Sequence, residues 1–161
     1  MSQPVRGRVW VLVILLVVSH FFLRVGMSFG QGAPDLLTVG LLLWARETDL
    51  GRAGAMGLGL GLLEDALSAV AFGANSVAMT IVGVGGAFTR DYFVGDSRFF
   101  IVSYFWIGKW VRDALHWASV GDSIRPPFVD YVLVQGAVGG AYAAAVGLVL
   151  VAITGLGGEA S

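Results

Sequence analysis

Five ionisable residues sit where a chain this apolar has least use for them. Glu64 and Asp65 are adjacent at the end of the glycine-rich run that starts at Ala53, and Lys109, Arg112 and Asp113 interrupt the aromatic and aliphatic stretch from Phe99 to Ala118. A charge in apolar surroundings is costly unless it is paired or wetted, so such residues mark an architectural or functional site. Two kinds of chemistry fit them: a charge cluster that locks two helices together, and a polar cavity that receives a solute or a partner. The opposite signs favour the lock. Spacing narrows the pairs. Lys109, Arg112 and Asp113, at intervals of three and four, share one helix face, whereas Glu64 and Asp65 diverge by about 100° and cannot both address one partner. Asp65 continues the four-residue stripe Ala53, Gly57, Gly61. Glu64 and Asp65 are expected to pair with Lys109 and Arg112 across the third and fifth helices, with Asp65 as the inward carboxylate. Asp113 is also placed to bridge to either cation on its own helix.

Other chemistry finds little footing. The chain has no cysteine, which excludes disulfides, thiolate metal sites and a cysteine nucleophile. His20 and His116 are the only histidines, far apart in sequence, so a core or interfacial role is expected of each rather than metal ligation. Ser19, Ser68 and Ser103 have no histidine that spacing would place beside them. Gly57-x-Gly59-x-Gly61 and Gly83-x-Gly85-Gly86 neither follow a strand nor lead into Gly-Lys-Ser/Thr, so they are not phosphate loops. A net charge of −1 without a basic, aromatic-interleaved run gives no reason to expect a nucleic-acid partner. The expectation is a non-enzymatic protein with no catalytic residues, no cofactor and no metal.

The elements that must position the five charges are membrane helices. Of 161 residues, 57% are hydrophobic and 13% charged, against about a quarter charged in an ordinary soluble domain. A spanning helix takes about 20 residues, so six fill the chain as one domain. The apolar stretches place them at 9–23, 34–45, 53–70, 76–89, 99–118 and 128–153. The second is short, about 18 Å at 1.5 Å per residue. Val11 to Val18 shows no apolar–polar alternation, which excludes barrel strands. The basic start at Arg6 and Arg8 precedes an apolar run without a small-x-small cleavage pattern, so the first helix is expected to be retained.

With the N-terminus inside, the inner side holds Arg6, Arg8, Arg46, Arg52, Arg90 and Arg98 and the outer side Arg24 and Arg125. That bias puts both termini in the cytoplasm. Small residues four apart, Ala53, Gly57 and Gly61, then Gly83 and Ala87, then Gly136, Gly140 and Ala144, are read as helix-packing stripes. The tryptophans are read as interfacial anchors or packing residues. In this topology Asp65 lies about 18 Å along its helix and Lys109 and Arg112 about 15 and 20 Å along theirs, all running outward.

The segment Pro34-Asp35-Leu36-Leu37, the charged connector Arg46 to Arg52, the run Gly57 to Ser68 and the turn Phe72-Gly73-Ala74-Asn75-Ser76 resemble those of the rod shape-determining protein MreD family. The likeness extends in length and span order over nearly the whole chain, and its motifs concentrate between residues 34 and 90. It implies a small six-helix inner-membrane bundle similar in fold to the S components of energy-coupling factor transporters. It also implies a scaffold of the bacterial elongation machinery. Its direct partner would be the single-pass protein MreC, and through MreC it would reach MreB and the RodA/penicillin-binding-protein synthase that builds peptidoglycan. Glu64 directly precedes Asp65 here, which leaves open the carboxylate that matches the family's acidic position. The competing reading is a solute-binding subunit of an energy-coupling factor type transporter, motivated by the helix count and the intramembrane charges.

Overall fold

The computed structural model describes residues 3–23, 35–68, 71–89 and 98–155, with side chains from Gly7 onward. The expected loop from Gly26 to Pro34, the polar loop from Arg90 to Ser97 and the end of the tail lie outside the described residues. Every described element is helical: α1 (Gln3–Phe21), α2 (Leu36–Arg46), α3 (Leu50–Ala66), α4 (Ala74–Thr89), α5 (Arg98–Ser119) and α6 (Gly136–Thr154), the last entered through a π-helical segment, Val129–Gln135. The chain is thus an all-α protein with six α-helices among the described residues. One helical run, Val129–Thr154 at 26 residues, is long and apolar enough to cross a bilayer by length and composition. Gly7–Phe21, Leu36–Arg46 and Ala74–Thr89 are shorter apolar helices.

Local chemistry sets the helix starts. Asp35 caps α2 by accepting the Thr38 N–H at 3.0 Å, and Asp49 caps α3 by accepting the Arg52 N–H at 3.0 Å, so a short polar side chain serves a backbone donor that the helix leaves unpaired. Helix α2 covers eleven residues, about 16 Å, and Leu36 to Ala45 are all buried. It is the core of the bundle. Leu37, Leu41, Leu42 and Leu43 are at most 1% exposed, and α2 packs against each of the other five helices. Tyr104 on α5 donates its hydroxyl to the Leu42 carbonyl at 3.1 Å. So short and apolar a second helix is enclosed on all sides by its neighbours.

Helices α3 and α4, and α5 and α6, form the closest pairs. In the first, a side chain at Gly57 would collide with the Met79 carbonyl, one at Gly61 with the Ser76 backbone, and one at Gly83 with the Ala53 carbonyl. The backbones touch where the small residues are, as small-residue stripes allow. In the second pair, Gly136 receives the Trp110 indole, Gly140 that of Trp106, and Gly147 the Phe105 ring. Ala87 joins Ala45 and Ala53 in a small cluster, and Ala144 is in the main core. The stripes read from sequence thus all lie at helix contacts.

Candidate functional site

The charges meet near one end of the bundle, where α2 and α4 begin and α3 ends. Arg112 is the hub. Its Nη2 donates to Glu64 Oε2 at 2.7 Å and to Asn75 Oδ1 at 2.6 Å, and its Nη1 donates to Asp113 Oδ1 at 3.2 Å. One turn earlier on α5, Lys109 Nζ donates to both carboxylate oxygens of Asp113. Asp35 Oδ2 stands 3.6 Å from Lys109 Nζ and 3.8 Å from Arg112 Nη1. Side chains of Glu64, Lys109, Arg112 and Asp113 are 6–9% exposed and that of Asp35 is 11% exposed. Water therefore screens these pairs little, and each charge depends on its partners.

Asp65 takes a different role from the one its stripe suggests. It is buried at 1% exposure, but it faces the start of α4 and not the α5 cations. Its carboxylate accepts the Asn75 N–H at 3.1 Å, the Ser76 N–H at 2.9 Å and the Ser76 hydroxyl at 2.6 Å. The Val77 N–H bonds to the Gly73 carbonyl at 3.0 Å and the Ala74 N–H to the Ala71 carbonyl at 3.2 Å. The Ala74, Asn75 and Ser76 N–H groups, which α4 leaves open at its start, are thereby satisfied, and the Val77 bond is the first of the regular helix ladder. Gly73 adopts φ +96°, a region that glycine enters without a Cβ penalty, and so turns the chain for this docking.

The expected pairing of Asp65 with Lys109 or Arg112 is therefore corrected: Glu64 is the carboxylate that meets Arg112. The stripe argument failed because Gly57 and Gly61 face α4, and Asp65, continuing that face, meets the α4 backbone. The divergence of Glu64 from Asp65 does hold. Asn75 joins their two sets of contacts, giving its N–H to Asp65 and its side-chain oxygen to Arg112. The expected bridging by Asp113 is present to both cations.

Asp35 is the member that the charge reading missed. Its signal was the N-cap position directly after Pro34, which puts a carboxylate at the mouth of the most buried helix. Asp35, Glu64 and Asp113 are three carboxylates against the two cations Lys109 and Arg112. The start of α2 carries part of that excess, since an N-terminus presents about half a positive charge. Asp65 likewise rests on the start of α4. Arg112 Nε is buried without a hydrogen-bond partner.

The remaining sequence candidates fall elsewhere. His116 lies beside Tyr131, the rings tilted by 31° with centroids 6.1 Å apart, and His20 packs at the edge of Phe21. Three tryptophans on α5 do more than anchor. Trp106, Trp110 and Trp117 donate their indole N–H groups to the carbonyls of Ala137, Val132 and Pro126 at 3.1, 2.8 and 2.8 Å. They tie α5 to the loop before α6, to the π-helical entry and to the first turn of α6. Among the described residues, no three His, Cys, Asp or Glu side chains are grouped so as to hold a metal ion. Chemically, the cluster is an ion-pair network binding α2, α3, α4 and α5, with Arg112 Nε as its one unpartnered donor among the described residues.

This arrangement defines an all-helical bundle locked by a buried charge network. No family model, no curated protein and no solved structure matches the chain.

Proposed function

We propose that the chain is a multi-pass protein of the bacterial cytoplasmic membrane, with both termini cytoplasmic, and that it acts as a non-enzymatic scaffold of the MreD kind. It would bind MreC directly, and MreB and the RodA/penicillin-binding-protein synthase through it, and so help to control peptidoglycan synthesis and rod shape. The carrying observation is that polarity is turned inside out. Glu64, Asp65, Lys109, Arg112 and Asp113 are buried, while large apolar side chains on α1, α3, α4, α5 and α6 are exposed, among them Ile14, Leu62, Ile81, Ile107 and Val149. Water would penalise both halves of that distribution, and lipid rewards the second. The MreD reading is supported further because Asp35, Glu64, Asp65, Asn75 and Ser76, all within the segments that resemble that family, converge on the one network.

Two measurements test this reading. Reporter fusions at Ala74 and Ser123 should report the outer side and one at Asp49 the inner side, and any of these on the opposite face breaks the six-span topology. Copurification from detergent-solubilised membranes should retain a single-pass partner with a periplasmic domain. Retention of a small molecule in the bundle without such a partner would replace the scaffold with the solute-binding reading.

A further inference from the structure

Helix α6 turns one face to the core and leaves the other uncovered. Gly136, Gly140, Ala143, Ala144, Gly147 and Val151 are buried, and the opposite face carries two polar groups among apolar ones. Gln135 is exposed, the only exposed side-chain amide among the described side chains. Tyr142 is 60% exposed and stands at the midpoint of the helical run Val129–Thr154. Neither the Gln135 amide nor the Tyr142 hydroxyl hydrogen-bonds to a described residue. They are seven residues apart, two turns along one face and about 10 Å in rise. Val138, Ala145 and Val149 complete the seam at alternating intervals of three and four.

On the membrane reading above, on which this inference rests, both polar groups would face hydrocarbon, where an unpaired donor or acceptor is costly. We propose that α6 pairs with α6 of a second copy of this chain, in parallel about a two-fold axis along the membrane normal. A membrane holds two copies in the same orientation, so a two-fold axis brings each seam residue against its own counterpart. An amide is both donor and acceptor, as is a phenol, so Gln135 and Tyr142 are each complementary to themselves. A different partner helix would have to carry polar groups at matching depth, whereas the self-pair needs nothing beyond this chain. Ala145 lets the backbones approach between the two polar contacts.

The absence of cysteine makes the test direct. Single variants Val138→Cys, Ala145→Cys and Val149→Cys, with Ile14→Cys, Leu62→Cys, Ile81→Cys and Ile107→Cys as exposed controls on the other helices, are made in the full chain. Each is reconstituted alone in phosphatidylcholine/phosphatidylglycerol vesicles and oxidised. Disulfide-linked dimer should form at the three seam positions and exceed the controls at least ~10-fold, a margin that a seam-specific contact gives and random collision does not. Equal crosslinking at the controls, or none at the seam, overturns the pairing. Gln135→Leu should weaken the dimer roughly three- to tenfold on lipid dilution, with Gln135→Asn closer to the parent; no change on Gln135→Leu overturns the role of the amide. Alkaline extraction of the cell membranes reads the underlying assumption separately. Release of the chain defeats the membrane reading, whereas retention without seam crosslinks defeats the dimer alone.

Discussion

Replacing Arg112 by methionine removes the hub of the charge network and keeps most of the side chain's apolar volume. Its guanidinium holds Glu64, Asn75 and Asp113 by hydrogen bonds of 2.7, 2.6 and 3.2 Å. Without it, Asp35, Glu64 and Asp113 face Lys109 as their one side-chain cation. Removing one partner of a buried pair leaves an uncompensated charge and costs about 3–5 kcal/mol, which lowers the folding constant roughly 10²- to 10⁴-fold. Glu64→Gln separates charge from hydrogen bonding. The amide oxygen still accepts from Arg112, and two carboxylates then balance two cations, so the expected loss is about 1 kcal/mol. The double variant Glu64→Met/Arg112→Met should be less damaged than the sum of the singles by about 1–3 kcal/mol, because neither partner is left alone. Reversible unfolding in mixed micelles, followed by helicity, gives these values. Arg112→Met within about 1 kcal/mol of the parent would refute a lock built on these pairs. So would a coupling between positions 65 and 112 larger than that between 64 and 112, since of these two carboxylates it is Glu64 that contacts the guanidinium.

The α3–α4 contact makes a paired prediction. Gly57→Ala and Gly61→Ala drive a methyl into the Met79 carbonyl and the Ser76 backbone and should destabilise by about 2–3 kcal/mol, whereas Gly59→Ala, with nothing within 4 Å, should stabilise by about 0.5–1 kcal/mol; the same unfolding assay ranks them. Asp65→Ala should lower the protection of the Asn75 and Ser76 amides in hydrogen exchange while leaving the Lys109–Asp113 pair formed. At the exposed α3 cap, the Arg52 N–H bond holds the Asp49 carboxyl below its ordinary 3.8. The folded-state value is the depressed one, so the cap contributes fully above 3.8 and is lost as pH falls through the lower folded value. An acid titration of the Arg52 amide shift should follow that direction, and a midpoint above 3.8 would contradict it.

Helix number and positions were legible because long apolar runs punctuated by charged connectors leave few alternatives. The second span was read at 34–45 and stands at Leu36–Arg46. Its shortness was visible too, although its encirclement by the other five helices was not, since burial on all sides leaves no polar face to read. The charge cluster was legible as a set of residues but not as a set of pairs. Helical spacing fixes which side chains share a face, and says nothing about which neighbour that face meets. Asp65 shows the limit: its stripe was read correctly, and the stripe faces α4. Asp35 was hidden for a different reason. A carboxylate at a helix start is already explained by capping Thr38, so its second role beside Lys109 and Arg112 left no trace in the local pattern. The π-helical entry to α6 left no trace in the apolar pattern, and the Trp110 indole bond to its Val132 carbonyl is a tertiary contact.

The position of the network follows from the burial of α2. A helix of eleven residues with ten of them buried has almost no surface on which a polar anchor could set its depth, and apolar packing alone lets such a helix slide by a turn at little cost. Asp35, at its mouth, is the charged group that ties it to the α5 cations. The cations reaching Asp35 come from α5, and their remaining bonds pass to α3 through Glu64 and to the start of α4 through Asn75. One hub thus fixes the depth of four helices at the end where three of them begin or end. The same burial decides where a partner can bind. Leu36 to Ala45 present no surface, so no partner segment can dock on α2. Any helix that docks on the bundle must use α1 or the outer faces of α3 to α6. If α6 pairs with a second copy as proposed, crosslinkers for the proposed single-pass partner belong on α1, α3, α4 and α5. A continuous stripe of partner adducts on α6 would set the two proposals against each other.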